Sequence, residues 1–254
     1  MKKLMFAAAV RAVGAAMAIE SQIVGYQNFD IKAGKWYLIG AQFQTLSGTA
    51  IDLQDFIKSE NLTPGETEYD ENAPTIKKYD GSGYVTYVYS SGNDMGDEFD
   101  PPAWLDNGGD PAANININVG ESVWFMAKSD ASISVAGQVV SAGAKDVTLV
   151  ANKWNLLANP YPEAFELNGD KFDCSNLVPG GNEYDTSAPT LKVYDGSGYV
   201  TYVYASENDM GDEFDPPQWL DNGGDPTEVS VASGAGIWLM YKNSAESLTV
   251  KFTK

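Results

Sequence analysis

The sequence predicts an all-β protein of two tandem antiparallel modules, each a β-sandwich or barrel-like unit of about 115 residues. Three observations carry that expectation. Apolar and polar residues alternate with period two along most of the chain, and β-branched and aromatic side chains fill the alternating runs, as in half-buried strands. Asp-Gly-Ser-Gly stands between two such runs at 80–83 and again at 195–198, where the glycines supply the positive φ that tight hairpin loops need. Finally, residues 73–111 recur 115 positions later as 188–226, with 34 of 39 positions identical.

Taken in order, residues 1–18 read as a secretory leader. Lys2 and Lys3 precede an alanine-rich apolar run, and Ala16-Met17-Ala18 gives a signal peptidase its small residues, although Arg11 interrupts the run. The first module, 19–139, is expected to hold strands at 23–31, 36–43, 75–79, 84–89, 115–119, 123–127 and 133–139. The second, 140–254, repeats them at 147–150, 154–157, 190–194, 199–204, 229–231, 237–241 and 248–252. Helix is expected only at 53–58, with a single turn near 162–167. The junction falls between Gly137 and Asp146, where a Ser-Ala-Gly-Ala turn leaves little linker, and each half is expected to fold alone. Trp36 matches Trp154, Leu38 matches Leu156, Trp124 matches Trp238, Phe125 matches Leu239 and Met126 matches Met240, which reads as two cores filled to similar volume.

These elements resemble a group of uncharacterised secreted tandem β-repeat proteins of Gram-negative bacteria. The shared features are a V-G-Y strand (Val24-Gly25-Tyr26), a W-x-L-I strand (36–39), a Y-D-G hairpin (79–81), a loop tryptophan (Trp104), a G-E-x-x-W/F strand (120–125) and a closing G-x-V (137–139). The second copy departs from the pattern, with Ala235 where the first has Glu121. The resemblance implies an extracytoplasmic β-rich fold and no particular activity.

Charge and composition remove whole classes of function. A formal charge of −19 repels the phosphate backbone that a nucleic-acid binder must grip. With no histidine there is no Ser-His or Cys-His nucleophile pair and no histidine-bound zinc. The single Cys174 has no intramolecular disulfide partner and reads as a small apolar side chain. No run approaches the roughly 18 apolar residues of a transmembrane helix in the mature chain.

Two acidic loops hold 12 of the 35 carboxylates. The first carries Asp94, Asp97, Glu98, Asp100, Asp106 and Asp110; the second carries Asp209, Asp212, Glu213, Asp215, Asp221 and Asp225. Hard cations take six to eight oxygen ligands, and a glycine-rich acidic loop can supply them, so Ca²⁺ is the expected ion. The spacing is neither that of an EF-hand nor that of a nonapeptide calcium repeat. A merely solvated acidic loop, or gene conversion that copied one patch of DNA, is the alternative.

Trp104 and Trp219, in Pro-Pro-x-Trp-Leu, either anchor these loops to the sandwich or offer a flat face to a sugar ring. Tyr87, Tyr89, Tyr202 and Tyr204 could join such a glycan surface or simply pack across strands. A glycosidase would need two carboxylates in contrasting environments, which a crowd of exposed acids does not provide. The sequence therefore points to a non-enzymatic, extracytoplasmic surface or matrix component with a divalent cation as partner. A carbohydrate-binding module pair is the alternative, and a glycoside hydrolase a minor one. Intact mass of protein from the native host should show a mature chain beginning at Ile19; a chain still beginning at Met1 would show that Arg11 disables the leader.

Overall fold

The computed structural model describes residues 24–57, 62–242 and 247–254; the expected leader, the first residue of the 23–31 strand and Lys58 of the expected helix lie outside them. The protein is all-β, with antiparallel sheets and, among the described residues, one short helix. In the first half, β1 (Val24–Ile31) pairs with β10 (Ala131–Val139), and the end of β10 also pairs with β3 (Phe43–Gln44). A second sheet holds five strands in the order β2 (Trp36–Gly40), β9 (Ser122–Met126), β5 (Thr75–Tyr79), β6 (Tyr84–Gly92) and β7 (Glu98–Leu105). A small ladder joins β4 (Ile51–Asp52) to β8 (Asn116–Ile117). The helix α1 (Leu53–Phe56) is capped by Asp52, whose Oδ1 accepts from the Gln54 amide at 3.0 Å.

The second half repeats the sheets, but the third strand of its three-stranded sheet follows the ladder strand in the chain, where in the first half β3 precedes β4. One sheet is β11 (Ala144–Leu149), β20 (Leu248–Thr253) and β14 (Phe172–Asp173). The five-stranded sheet is β12 (Trp154–Ala158), β19 (Gly236–Met240), β15 (Thr190–Tyr194), β16 (Tyr199–Glu207) and β17 (Glu213–Leu220). β13 (Phe165–Glu166) pairs with β18 (Ser230–Val231), and so takes the place of the helical turn expected near 162–167. In each half the three- and five-stranded sheets close over one core: Ile31, Phe43, Ile133 and Val135 meet Ile39, Ile76, Val123 and Phe125 in the first.

Two longer strands also contradict the reading of the sequence. β7 and β17 lie inside what reads as loop, because Pro101-Pro102 and Pro216-Pro217 argue against a strand. Proline lacks the N–H for a ladder and is tolerated on an edge, which is where both strands lie.

The four matched tryptophans also do something other than fill the two cores. Side chains alternate along β9, so Val123 and Phe125 face inward and Trp124 faces out. Trp124 and Trp238 are nevertheless buried, because the halves meet over these outer faces. Tyr79 and Tyr84, flanking the hairpin turn of the first half, pack edge-on against Trp238, with ring centroids at 5.0 and 6.3 Å. Tyr194 and Tyr199 of the second half pack in the same way on Trp124, at 5.2 and 6.3 Å. Each indole also donates to the second tyrosine of its own half: Trp124 Nε1 to Tyr84 Oη at 3.2 Å, and Trp238 Nε1 to Tyr199 Oη at 3.0 Å.

The backbone crosses the seam with the same reciprocity. Gly40 N donates to Gly234 O at 2.8 Å, and its counterpart Ala158 N donates to Gly120 O at 2.7 Å. On one side only, Gln27 Nε2 donates to Ser233 O at 2.9 Å and Ser233 Oγ to Gln42 Oε1 at 2.8 Å. Contact this close needs residues without side chains. A Cβ on Gly40 would stand 2.5 Å from the Ala158 Cβ and 2.9 Å from Gly234 O, and one on Gly236 would stand 2.5 Å from Leu38.

Gly40→Val should therefore cost about 1–3 kcal/mol in urea unfolding, the usual range for overpacking. Gly83→Ala, with nothing within 4 Å of the added Cβ, should change stability little. Equal stabilities for the two variants would show that the halves do not meet through Gly40.

Candidate functional site

In each half the six carboxylates lie on and beside a hairpin rather than in one long loop. β6 and β7 pair with a bulge between Ser90 and Gly92, and residues 93–97 form the turn. Asn93 closes it: Asn93 Oδ1 accepts from the Asp97 amide at 2.9 Å, and Asn93 Nδ2 donates to Asp97 Oδ2 at 3.0 Å. Gly96 takes the positive φ of 88° that this turn requires. After β7, Asp106 Oδ1 accepts from the amides of Gly108 at 2.8 Å and Asp110 at 3.3 Å, an Asx turn. Asn93 Nδ2 ties the two turns together by also donating to Gly109 O at 3.1 Å.

Beneath them lies a residue that the acidic pattern does not single out. Glu68 is only 6% exposed. Its Oε2 accepts from the Asp94 amide at 3.1 Å, while Oε1 is buried with no hydrogen-bond partner in the protein. That oxygen stands 2.8 Å from where a Cβ on Gly109 would be, so the residue at 109 has to be glycine for the carboxylate to fit. The segment carrying Glu68 is laid against β6: Gly65 N donates to Tyr89 O at 2.9 Å and Ser91 N to Gly65 O at 3.0 Å. Next to it, Asp70 accepts from the amides of Asn72 and Glu66, which hold its carboxyl below the usual range.

The second copy reproduces the arrangement atom for atom. Glu183 is 8% exposed, its Oε2 accepts from the Asp209 amide at 3.1 Å, and its Oε1 is again buried without a partner. Asn208 bonds to Asp212 N at 2.9 Å, Asp212 Oδ2 at 3.0 Å and Gly224 O at 3.4 Å, and Asp221 Oδ1 accepts from Gly223 N at 2.7 Å. A sequence signal for these residues exists: Glu-Tyr-Asp occurs at 68–70 and 183–185, separated by the same 115 positions as the longer repeat.

The fold brings some of the expected ligands together and separates others. The turn with Asp94 and Asp97 and the Asx turn with Asp106 and Asp110 lie at one end beside Glu68, tied to each other by Asn93 and to Glu68 by the Asp94 amide. Glu98 and Asp100 instead point to solvent from β7, as Glu213 and Asp215 do from β17. Asp106 and Asp221 are half-buried and the other ten carboxylates are exposed. Among the described residues, no three or more carboxylates or cysteines converge tightly enough to hold an ion by themselves.

The glycan-platform reading of the loop aromatics is corrected by burial. Trp104 and Trp219 are each 1% exposed, so neither has a free face to stack on a sugar. Trp104 packs against Tyr89 at 5.2 Å and Phe125 at 6.3 Å, and Trp219 against Tyr204 at 5.2 Å. A side-chain amide fixes each strand end: Gln54 bonds to both N and O of Trp104, at 2.9 and 2.7 Å, and Asn168 does the same for Trp219, at 2.7 and 3.0 Å. Tyr87, Tyr202 and Tyr204 are buried and Tyr89 is half-buried. Cys174 is also buried, and desolvation pushes its thiol far up from the usual value, away from the reactive thiolate.

No protein-family model matches the chain, and neither a curated protein nor a solved structure shows significant similarity to it.

Proposed function

We propose that the protein is a non-enzymatic structural or binding component that works outside the cytoplasm, on a surface or in a matrix, and that each module takes up a divalent cation, Ca²⁺, over its buried glutamate. The observation that carries this reading is the partnerless Oε1 of Glu68, repeated at Glu183. A buried acceptor with no donor costs about 1–3 kcal/mol, and more when it is charged, so keeping two of them at equivalent positions asks for a compensating charge. Calcium prefers oxygen ligands in flexible surroundings, and Asp94, Asp97, Asp106 and Asp110 stand in the two turns beside Glu68 to supply them. Without the ion these like charges repel and spread; with it, the turn at 93–97 and the Asx turn at 106–110 draw together over Glu68. The absence of histidine and the exposed, similar settings of the hairpin carboxylates support a non-enzymatic role.

Calorimetry on EDTA-stripped protein tests the reading. Calcium at about 100 times its dissociation constant should stabilise each site by roughly 2.7 kcal/mol and raise the melting temperature by several degrees. Glu68→Gln keeps an oxygen for the Asp94 amide and removes the charge, so it should abolish the response of the first module and leave that of the second; Glu183→Gln should do the reverse. If calcium leaves the melting temperature unchanged and Glu68→Gln is more stable than the parent, the glutamate is an uncompensated buried charge and the reading falls.

A further inference from the structure

The seam between the two halves is flanked by two clefts of about 400 and 360 Å³, within the size range of small-ligand sites. Both are products of the duplication. The larger lies between Tyr79 and its Asp-Gly turn from the first half and Trp154 of β12 from the second. The smaller lies between Tyr194 and its turn from the second half and Trp36 of β2 from the first. In each, a lysine ammonium sits over the tryptophan ring, Lys192 over Trp154 at 4.7 Å and Lys77 over Trp36 at 4.8 Å, which fixes the indole at the cleft wall. Both tryptophans are only half-buried, unlike Trp104 and Trp219.

The rims have diverged. The Trp36 cleft is edged by Lys32 and Lys35 and floored by Leu38, Ala235 and Gly236, with no carboxylate in its lining. The Trp154 cleft carries Asp80, Asn118, Glu121, Lys145 and Asp146. Glu121 is held in place: its Oε2 accepts from Lys78 Nζ at 3.0 Å and its Oε1 from Asn118 Nδ2 at 3.0 Å. Lys145 and Asp146 are neighbours on β11, and Asp146 is exposed. With Asp80 of the turn, the lining holds three carboxylates against Lys145, while Lys78 pairs with Glu121, so the cleft keeps a negative excess and offers both acceptors and donors. Such a rim repels an anion, and its acceptors and donors beside a flat aromatic wall suit a neutral polyhydroxyl ligand. Hydroxyls use both kinds of partner, and the apolar face of a sugar ring covers an indole.

We propose that the Trp154 cleft binds a neutral pyranose sugar, with the ring against Trp154 and its hydroxyls bonded to Asp146, Glu121 and Asn118. The site exists only where the two halves meet, because Glu121 and Tyr79 come from one half and Trp154 and Asp146 from the other. It is independent of the calcium reading.

Titration of the full chain with soluble neutral hexaoses (cello-, xylo-, malto- and laminarihexaose), followed by tryptophan fluorescence and calorimetry with EDTA present, tests the proposal. Saturable binding of at least one member is expected. Asp146→Asn, at an exposed site that leaves the packing intact, should weaken it about tenfold, the equivalent of one hydrogen bond to a charged group. Trp154→Ala should abolish binding, and Trp36→Ala should leave it within about twofold. The proposal is overturned if no member binds at about 10 mM, or if Asp146→Asn binds as tightly as the parent.

Discussion

Trp124 and Trp238 stand on the outer faces of their sheets, where an antiparallel sheet commonly meets water, and the arrangement of the chain follows from how those indoles are covered. Each half covers its own only in part, through Trp36 against Trp124 and Trp154 against Trp238. The hairpin of each reaches across the seam and lays two tyrosines edge-on against the tryptophan of the other. Such pairs contribute about 0.5–1.5 kcal/mol each beyond the area they bury, so four of them amount to a substantial share of the stability of a small protein. The glycines at 40 and 236 allow the backbones to approach closely enough for the rings to meet.

The seam and the acidic hairpins are the two ends of one structural device. β5 and β6 of the first half carry Tyr79 and Tyr84 at the seam, and β6 then runs on to the acidic turn at 93–97. The turn next to the seam is set by Asp80, whose carboxylate accepts from the amides of Ser82 and Gly83, both at 2.8 Å, and is held down to about 2. The tyrosines lie on the outer face, whereas Tyr87 and Trp104 go inward to pin the same hairpin to the core.

The all-β class, the repeat and most strands were legible in period-two alternation and Asp-Gly turns, because those signals are local. Three features were not. The edge strands β7 and β17 were hidden by Pro-Pro, whose cost depends on whether a neighbouring strand needs the missing N–H, and position in the sheet is not a property of the local sequence. Trp36, Trp124, Trp154 and Trp238 read as core, since size held constant between copies signals a filled volume without saying which volume; the space they fill lies between the halves. Glu68 and Glu183 escaped notice among 35 acidic residues because burial, rather than charge, sets them apart. What chemistry there is thus depends on contacts between residues far apart in sequence.

Amide hydrogen exchange at Gly40 and Ala158 tests the seam most directly, since each N–H finds its acceptor only in the opposite half, at Gly234 O and Gly120 O. If the halves are docked as described, both amides should be protected to nearly the level of central-strand amides such as those of Ile76 and Leu191, and should open with the global unfolding free energy. Exchange at the rate of the exposed turns around Gly81 and Gly196 would contradict the account and make the two halves independent bodies on one chain.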